Sequence, residues 1–104
     1  MKTKVIFRRF KNITNDNKDT HNEIVAIFPQ LPGDSSPRRT CLSYMHIGQH
    51  GAITVNYAKF TTELTYRPDY QELYDELISL GYDLEVCTRM THADTLKRIA
   101  EMEK

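Results

Sequence analysis

The chain predicts an α+β fold: a small, mainly antiparallel sheet of about five strands in the order β-β-β-β-α-β-α, with one helix packed on a sheet face and a carboxy-terminal helix. Three observations predict it. Segments rich in β-formers crowd the stretch from Lys4 to Tyr57; apolar residues then recur three and four apart between Pro68 and Gly81; and a last alternating segment leads into a capped, charged one.

Lys4–Phe10 is dense in β-formers and reads as the first strand, and the polar tract Asn12–Asn22 after it reads as an exposed loop. Glu23–Phe28 is a nearly continuous apolar run of strand length, ended by Pro29, and is expected as a central strand hairpinned to the first. Pro29–Pro37 carries Gly33, Asp34, Ser35 and Ser36 with no apolar periodicity, so it reads as a surface connection. Arg38 and Arg39 lead into a third strand, Thr40–Ile47, and Ala52–Tyr57 alternates at period two as a half-buried fourth strand does. Gly48–Gly51 would then be their four-residue hairpin loop.

Pro68 begins a helix whose apolar residues Tyr70, Leu73, Tyr74, Leu77 and Leu80 form one stripe, and Gly81 ends it. Tyr82–Cys87 alternates again, placing Tyr82, Leu84 and Val86 on one side. Thr91, with Asp94 three positions on, forms a capping-box pattern that opens a charged helix carrying Leu96, Ile99 and Ala100. The helix before the last strand permits either a hairpin arrangement or a right-handed crossover between parallel strands, so strand order stays open.

With 104 residues the chain is the size of a single domain, 1–104, and 39% apolar residues suffice for one core. Fourteen basic side chains balance fourteen acidic ones and the pI is about 6.9, so no global field steers the protein to phosphate backbones or anionic lipid. Nucleic acid is therefore not the favoured partner. The amino-terminal apolar run is too short for a signal-peptide core or a membrane span, which leads to an expected cytoplasmic location and no membrane partner. Cys41 and Cys87 are expected as thiols, not a disulfide.

The densest cluster of unusual residues is Ser43-Tyr44-Met45-His46-Ile47-Gly48-Gln49-His50-Gly51, which holds two of the four histidines and two of the four glycines. Glycine permits a sharp turn or a close approach, and His46, Gln49 and His50 supply hydrogen-bonding groups beside it. This segment, with Lys4-Val5-Ile6-Phe7-Arg8 at the start, resembles a family of short, functionally uncharacterised bacterial and mobile-element proteins that carry a SYMHxGQHG stretch after a KVIFR strand. The similarity extends to the helix from Pro68 and the GYDL turn at Gly81–Leu84, while the tract 12–22 is longer than usual. The resemblance implies a shared fold and a shared special segment, and no activity.

Each candidate site has a plain structural alternative. A zinc site draws on four Cys or His ligands in two close pairs, and only the His46–His50 pair has a ligand-like spacing; Cys41, Cys87 and His92 add no recognised knuckle, so no metal is expected. Two histidines can serve as general acid and base in phosphodiester cleavage, with Arg8, Arg9, Arg38 or Arg39 holding the phosphate, yet no sequence feature brings them together. Cys41 and His46 stand an odd number of residues apart and so face opposite ways on one strand, whereas Tyr44 and His46 share a face. Phe7–Lys11 interleaves aromatic and basic residues as base-stacking surfaces do, but an edge strand with Phe7 inside and Lys11 guarding the edge uses the same letters. The pair Arg38-Arg39 is an anion clamp or a solvated loop.

The chain thus reads as a small cytoplasmic binding or accessory protein. It is expected to recognise a protein or small ligand through Tyr44, His46, Gly48, Gln49, His50 and Gly51, without cofactor or chemistry of its own. The alternative is a histidine-dependent phosphodiesterase or nuclease-like enzyme using His46 and His50. Exposed strand edges leave homodimer formation open.

Overall fold

A computed structural model describes residues 2–11, 24–45 and 49–103 of the chain. Their elements run β1 (Thr3–Phe10), β2 (Ile24–Phe28), β3 (Thr40–Met45), β4 (Gln49–Thr54), α1 (Val55–Thr61), β5 (Thr62–Leu64), α2 (Arg67–Ser79), β6 (Leu84–Cys87) and α3 (His92–Met102). The architecture is α+β, with a sheet ordered β4-β3-β2-β1-β5 and β6 paired to β1. All pairings are antiparallel except β1 with β6, which is parallel.

β1 is an interior strand that pairs with three others. Its first half, Thr3–Ile6, pairs with β6 and its second half, Arg8–Phe10, pairs with β5, while β2 lies along the other side. The expectation of β1 as an edge strand is corrected by this arrangement. Because β5 runs against β1 and β6 runs with it, α2 joins two strands of opposite direction and the crossover between consecutive parallel strands does not form.

Alternation along the strands divides the core between the two faces of the sheet. One face carries Val5, Phe7, Ala26, Phe28 and Tyr44 and receives Leu73 and Leu77 of α2, with Phe7 stacked on Tyr70 at 4.2 Å between ring centroids. The other carries Ile6, Val25, Ile27, Cys41 and Ile53 and receives Ala58 of α1. The α2 stripe is as its spacing predicts except at its end, where Leu80 caps the helix and is exposed. Gly81, at φ 104°, takes the left-handed conformation that terminates the helix without a Cβ clash.

Two stretches depart from expectation. The fourth strand is Gln49–Thr54, not Ala52–Tyr57, so Gln49, His50 and Gly51 lie inside the strand and not in a hairpin loop. Chain beyond Thr54 turns into α1 because the Thr54 hydroxyl accepts the Tyr57 N–H at 3.1 Å, a helix-initiating cap that overrides the period-two pattern. β5 was likewise not legible, since three residues, Thr62–Leu64, are too few to show a period.

α3 is the second departure. Its capping box forms as predicted, with Asp94 N–H to Thr91 Oγ1 at 3.3 Å and Thr91 N–H to Asp94 Oδ2 at 2.8 Å. The helix nevertheless docks through its charges: Asp94 and Arg98 are buried, while Leu96 is 55% exposed. Asp94 accepts from Lys4 Nζ at 2.7 Å and Gln30 Nε2 at 3.0 Å; Arg98 donates to the carbonyls of Pro29 at 2.6 Å and Pro37 at 2.8 Å. Those carbonyls belong to the irregular 29–37 connection, where no strand or helix supplies their donors, and Arg98 supplies them instead.

Candidate functional site

The β3–β4 register sets Tyr44 directly opposite His50, so both side chains rise from the same sheet face, the one covered by α2. Tyr44 is 2% exposed and its hydroxyl donates to Glu76 Oε2 on α2. The His50 ring meets the Tyr44 ring edge-on, with centroids 4.6 Å apart at 62°. On its other side, His50 Nε2 lies 2.9 Å from the Tyr82 hydroxyl. Tyr82 is itself held by stacking on Phe28 at 5.1 Å, and burial pushes its phenol above its ordinary pKa, so it remains protonated at neutral pH.

His50 is thus an exposed imidazole fixed between two tyrosines that the fold brings from 6 and 32 residues away. Its Nδ1 has no hydrogen-bond partner among the described residues and stays available to a ligand. The imidazole lies on β4, the outermost strand of the sheet on that side, whose outer backbone groups pair with no described strand.

The remaining predicted residues divide sharply. His46 and Gly48 lie outside the described residues. Gln49 opens β4 opposite Met45. Gly51 sits opposite Ser43, whose hydroxyl donates to its carbonyl at 3.0 Å, and a Cβ there would meet open space. Gly51 therefore serves no tight turn or close approach. Tyr44 supports His50 from beneath and does not itself face solvent.

Cys41 is buried on the opposite sheet face from Tyr44 and His50, so it forms no nucleophile–base pair with His50. Burial pushes its thiol up to about 11 against the opposing pull of the Arg98 guanidinium. Both cysteines are free thiols, Cys87 being partly exposed. Among the described residues no group of three or more His, Cys, Asp or Glu is placed to hold a metal ion.

Phe7 is buried against Tyr70, so the Phe7–Lys11 segment presents no stacking platform around it. Arg8 donates to Thr62, through Nε to the hydroxyl and Nη2 to the carbonyl at 2.8 Å, and Arg9 pairs with Glu63 at 2.7 Å. Arg38 and Arg39 stand just ahead of β3, whose opposite end carries Tyr44. The arginines proposed as phosphate holders thus have other partners or another location.

Two members of the cluster escaped sequence reasoning. Tyr82 reads as a strand residue, Glu76 is not on the apolar stripe of its helix, and no local spacing links either to the β3–β4 pair. Their positions follow from where α2 ends over the sheet. Among the described residues no helix is long and apolar enough to cross a membrane. No family model, no curated protein and no solved structure matches this chain.

Proposed function

We propose that the protein is a small cytoplasmic binding or accessory module, of the bacterial and mobile-element kind its SYMHxGQHG segment resembles, that recognises a protein or small ligand through the Tyr44–His50 region without chemistry of its own. The observation that carries this reading is the His50 imidazole, exposed on the outer strand yet oriented by Tyr44 and Tyr82. A pre-positioned donor and acceptor loses little entropy on binding, which is how a recognition group differs from a freely rotating surface histidine. His46, Gly48, Gln49 and Gly51 extend the same segment in sequence.

The test compares His50→Ala and Tyr82→Phe baits with the wild type in quantitative affinity recovery from cells, with circular dichroism as the folding control. His50→Ala is expected to reduce recovery of a specific partner at least tenfold while the fold persists, and Tyr82→Phe to reduce it less. Unchanged recovery by His50→Ala would retire the proposal, and self-association lost in the same variant would identify the partner as a second copy.

Catalysis is the second reading, favoured by the contact of an imidazole with a phenol that stays protonated. Labelled RNA and DNA incubated with and without divalent metal decide it: turnover abolished by His50→Ala would replace the binding reading.

A further inference from the structure

The turn that precedes β3 is rigid and positively charged. Asp34 Oδ1 accepts the Ser36 N–H at 2.8 Å and the Thr40 hydroxyl at 2.5 Å, and the Ser36 carbonyl accepts the N–H groups of Arg39 at 3.0 Å and Thr40 at 2.9 Å. The Arg39 carbonyl then accepts Val55 N–H at 2.8 Å, fastening the turn to the start of α1. This backbone presents Arg38 and Arg39, whose side chains are exposed and make no hydrogen bond or ion pair among the described residues.

Arg98 approaches from α3. It is 1% exposed, and three of its five N–H donors reach neutral oxygens: the carbonyls of Pro29 and Pro37 and, at 3.1 Å, the Thr95 hydroxyl. No described carboxylate pairs with it, because Asp94, one helical turn earlier, is taken by Lys4. A guanidinium removed from water without a counter-ion is unusual, since burial normally demands a paired charge. Between the three arginines opens a cleft of about 470 Å³, also lined by Thr54, Asn56 and Thr95.

We propose that this cleft binds the phosphoryl group of a small phosphorylated molecule. The guanidinium forks match a tetrahedral oxyanion bidentately, and the two threonines and Asn56 add neutral polar groups around the oxygens. The exposed Arg38 and Arg39 would grip the anion directly, and its charge would lie beside the buried Arg98, whose own N–H groups are turned to the Pro29 and Pro37 carbonyls and the Thr95 hydroxyl. The cleft's size suits a small molecule. Asp94 is neutralised by Lys4, and Asp34 is held by the uncharged Ser36 N–H and Thr40 hydroxyl, so the three arginines outnumber the one unneutralised carboxylate of the turn and leave a net positive charge.

The full chain, labelled with nitrogen-15, is titrated at low salt with pyrophosphate, with adenosine monophosphate and with adenosine. Pyrophosphate or the monophosphate is expected to shift the backbone amides of Arg38, Arg39, Asn56 and Thr95 saturably, and adenosine is expected not to. Arg38→Ala/Arg39→Ala removes two unbonded surface side chains, so the folded spectrum should persist while affinity falls at least tenfold. His50→Ala, on the opposite sheet face, should leave the titration unchanged. Absence of saturable shifts with both phosphorylated probes, equal shifts with adenosine, or undiminished affinity in the double variant would overturn the proposal.

Discussion

Replacing Asp94 by alanine tests the claim that α3 is anchored by charge and not by an apolar stripe. The substitution removes the half of the capping box in which the Asp94 carboxylate accepts the Thr91 N–H, worth about 1 kcal/mol, and leaves the Asp94 N–H to Thr91 Oγ1 bond in place. It also strands the Lys4 ammonium, whose side chain is 13% exposed, and the Gln30 amide without their shared acceptor, adding about 2 kcal/mol. A total loss near 3 kcal/mol is expected from urea unfolding followed by circular dichroism at pH 7, with the denaturant slope unchanged. Lys4→Met in a double-mutant cycle should return a coupling of about 1.5 kcal/mol.

The pH dependence of the same effect is directional. Burial raises the Asp94 carboxyl, but bonds from Lys4, Gln30 and the Thr91 N–H outweigh it, and the net displacement is downward. A depressed carboxyl contributes its full stability above the unfolded-state value, about 3.9, and loses it as pH falls through the lower folded value. The gap between wild type and Asp94→Ala should therefore hold at neutral pH and shrink below about pH 4. A loss under about 0.5 kcal/mol at pH 7, or a gap that ignores acid, would refute the anchoring argument.

Two further outcomes follow from packing. Gly33→Ala would place a Cβ 2.5 Å from the Cys41 carbonyl oxygen and 2.8 Å from Ala52 Cα, both backbone atoms, and should destabilise by at least about 2 kcal/mol in thermal melts; a melting point within a degree of wild type would contradict this close approach. A disulfide reagent at pH 8 should label Cys87 in the native protein and leave Cys41 untouched until urea is added, since Cys41 is fully buried and its thiol lies near 11. Equal native labelling rates would show that the Cys41 face opens readily.

Local chemistry made much of the fold legible in the residues. Pro68 and Gly81 bracket α2 to within a residue or two, and Thr91 with Asp94 announces α3, because caps act over three or four positions and carry their own geometry. Val55–Leu64 resisted for the same reason. Its alternating letters continue β4 on paper, and a single cap at Thr54 diverts the chain into α1. The geometry of the Tyr44–His50 segment was misplaced by reading Gln49–Gly51 as part of a turn instead of the start of β4.

The sequence by itself determined the α+β class, the first three strand segments and two of the helices, all of which depend on periods, caps and turns within a few residues. Only the tertiary structure decided that β1 is an interior strand shared by β2, β5 and β6, that Tyr82 and Glu76 join the Tyr44–His50 pair, and that Arg98 is buried beside Arg38 and Arg39. Those outcomes depend on partners 32 to 69 residues apart, and a charged side chain's burial is set by which distant carbonyls need its donors, a quantity no local spacing contains.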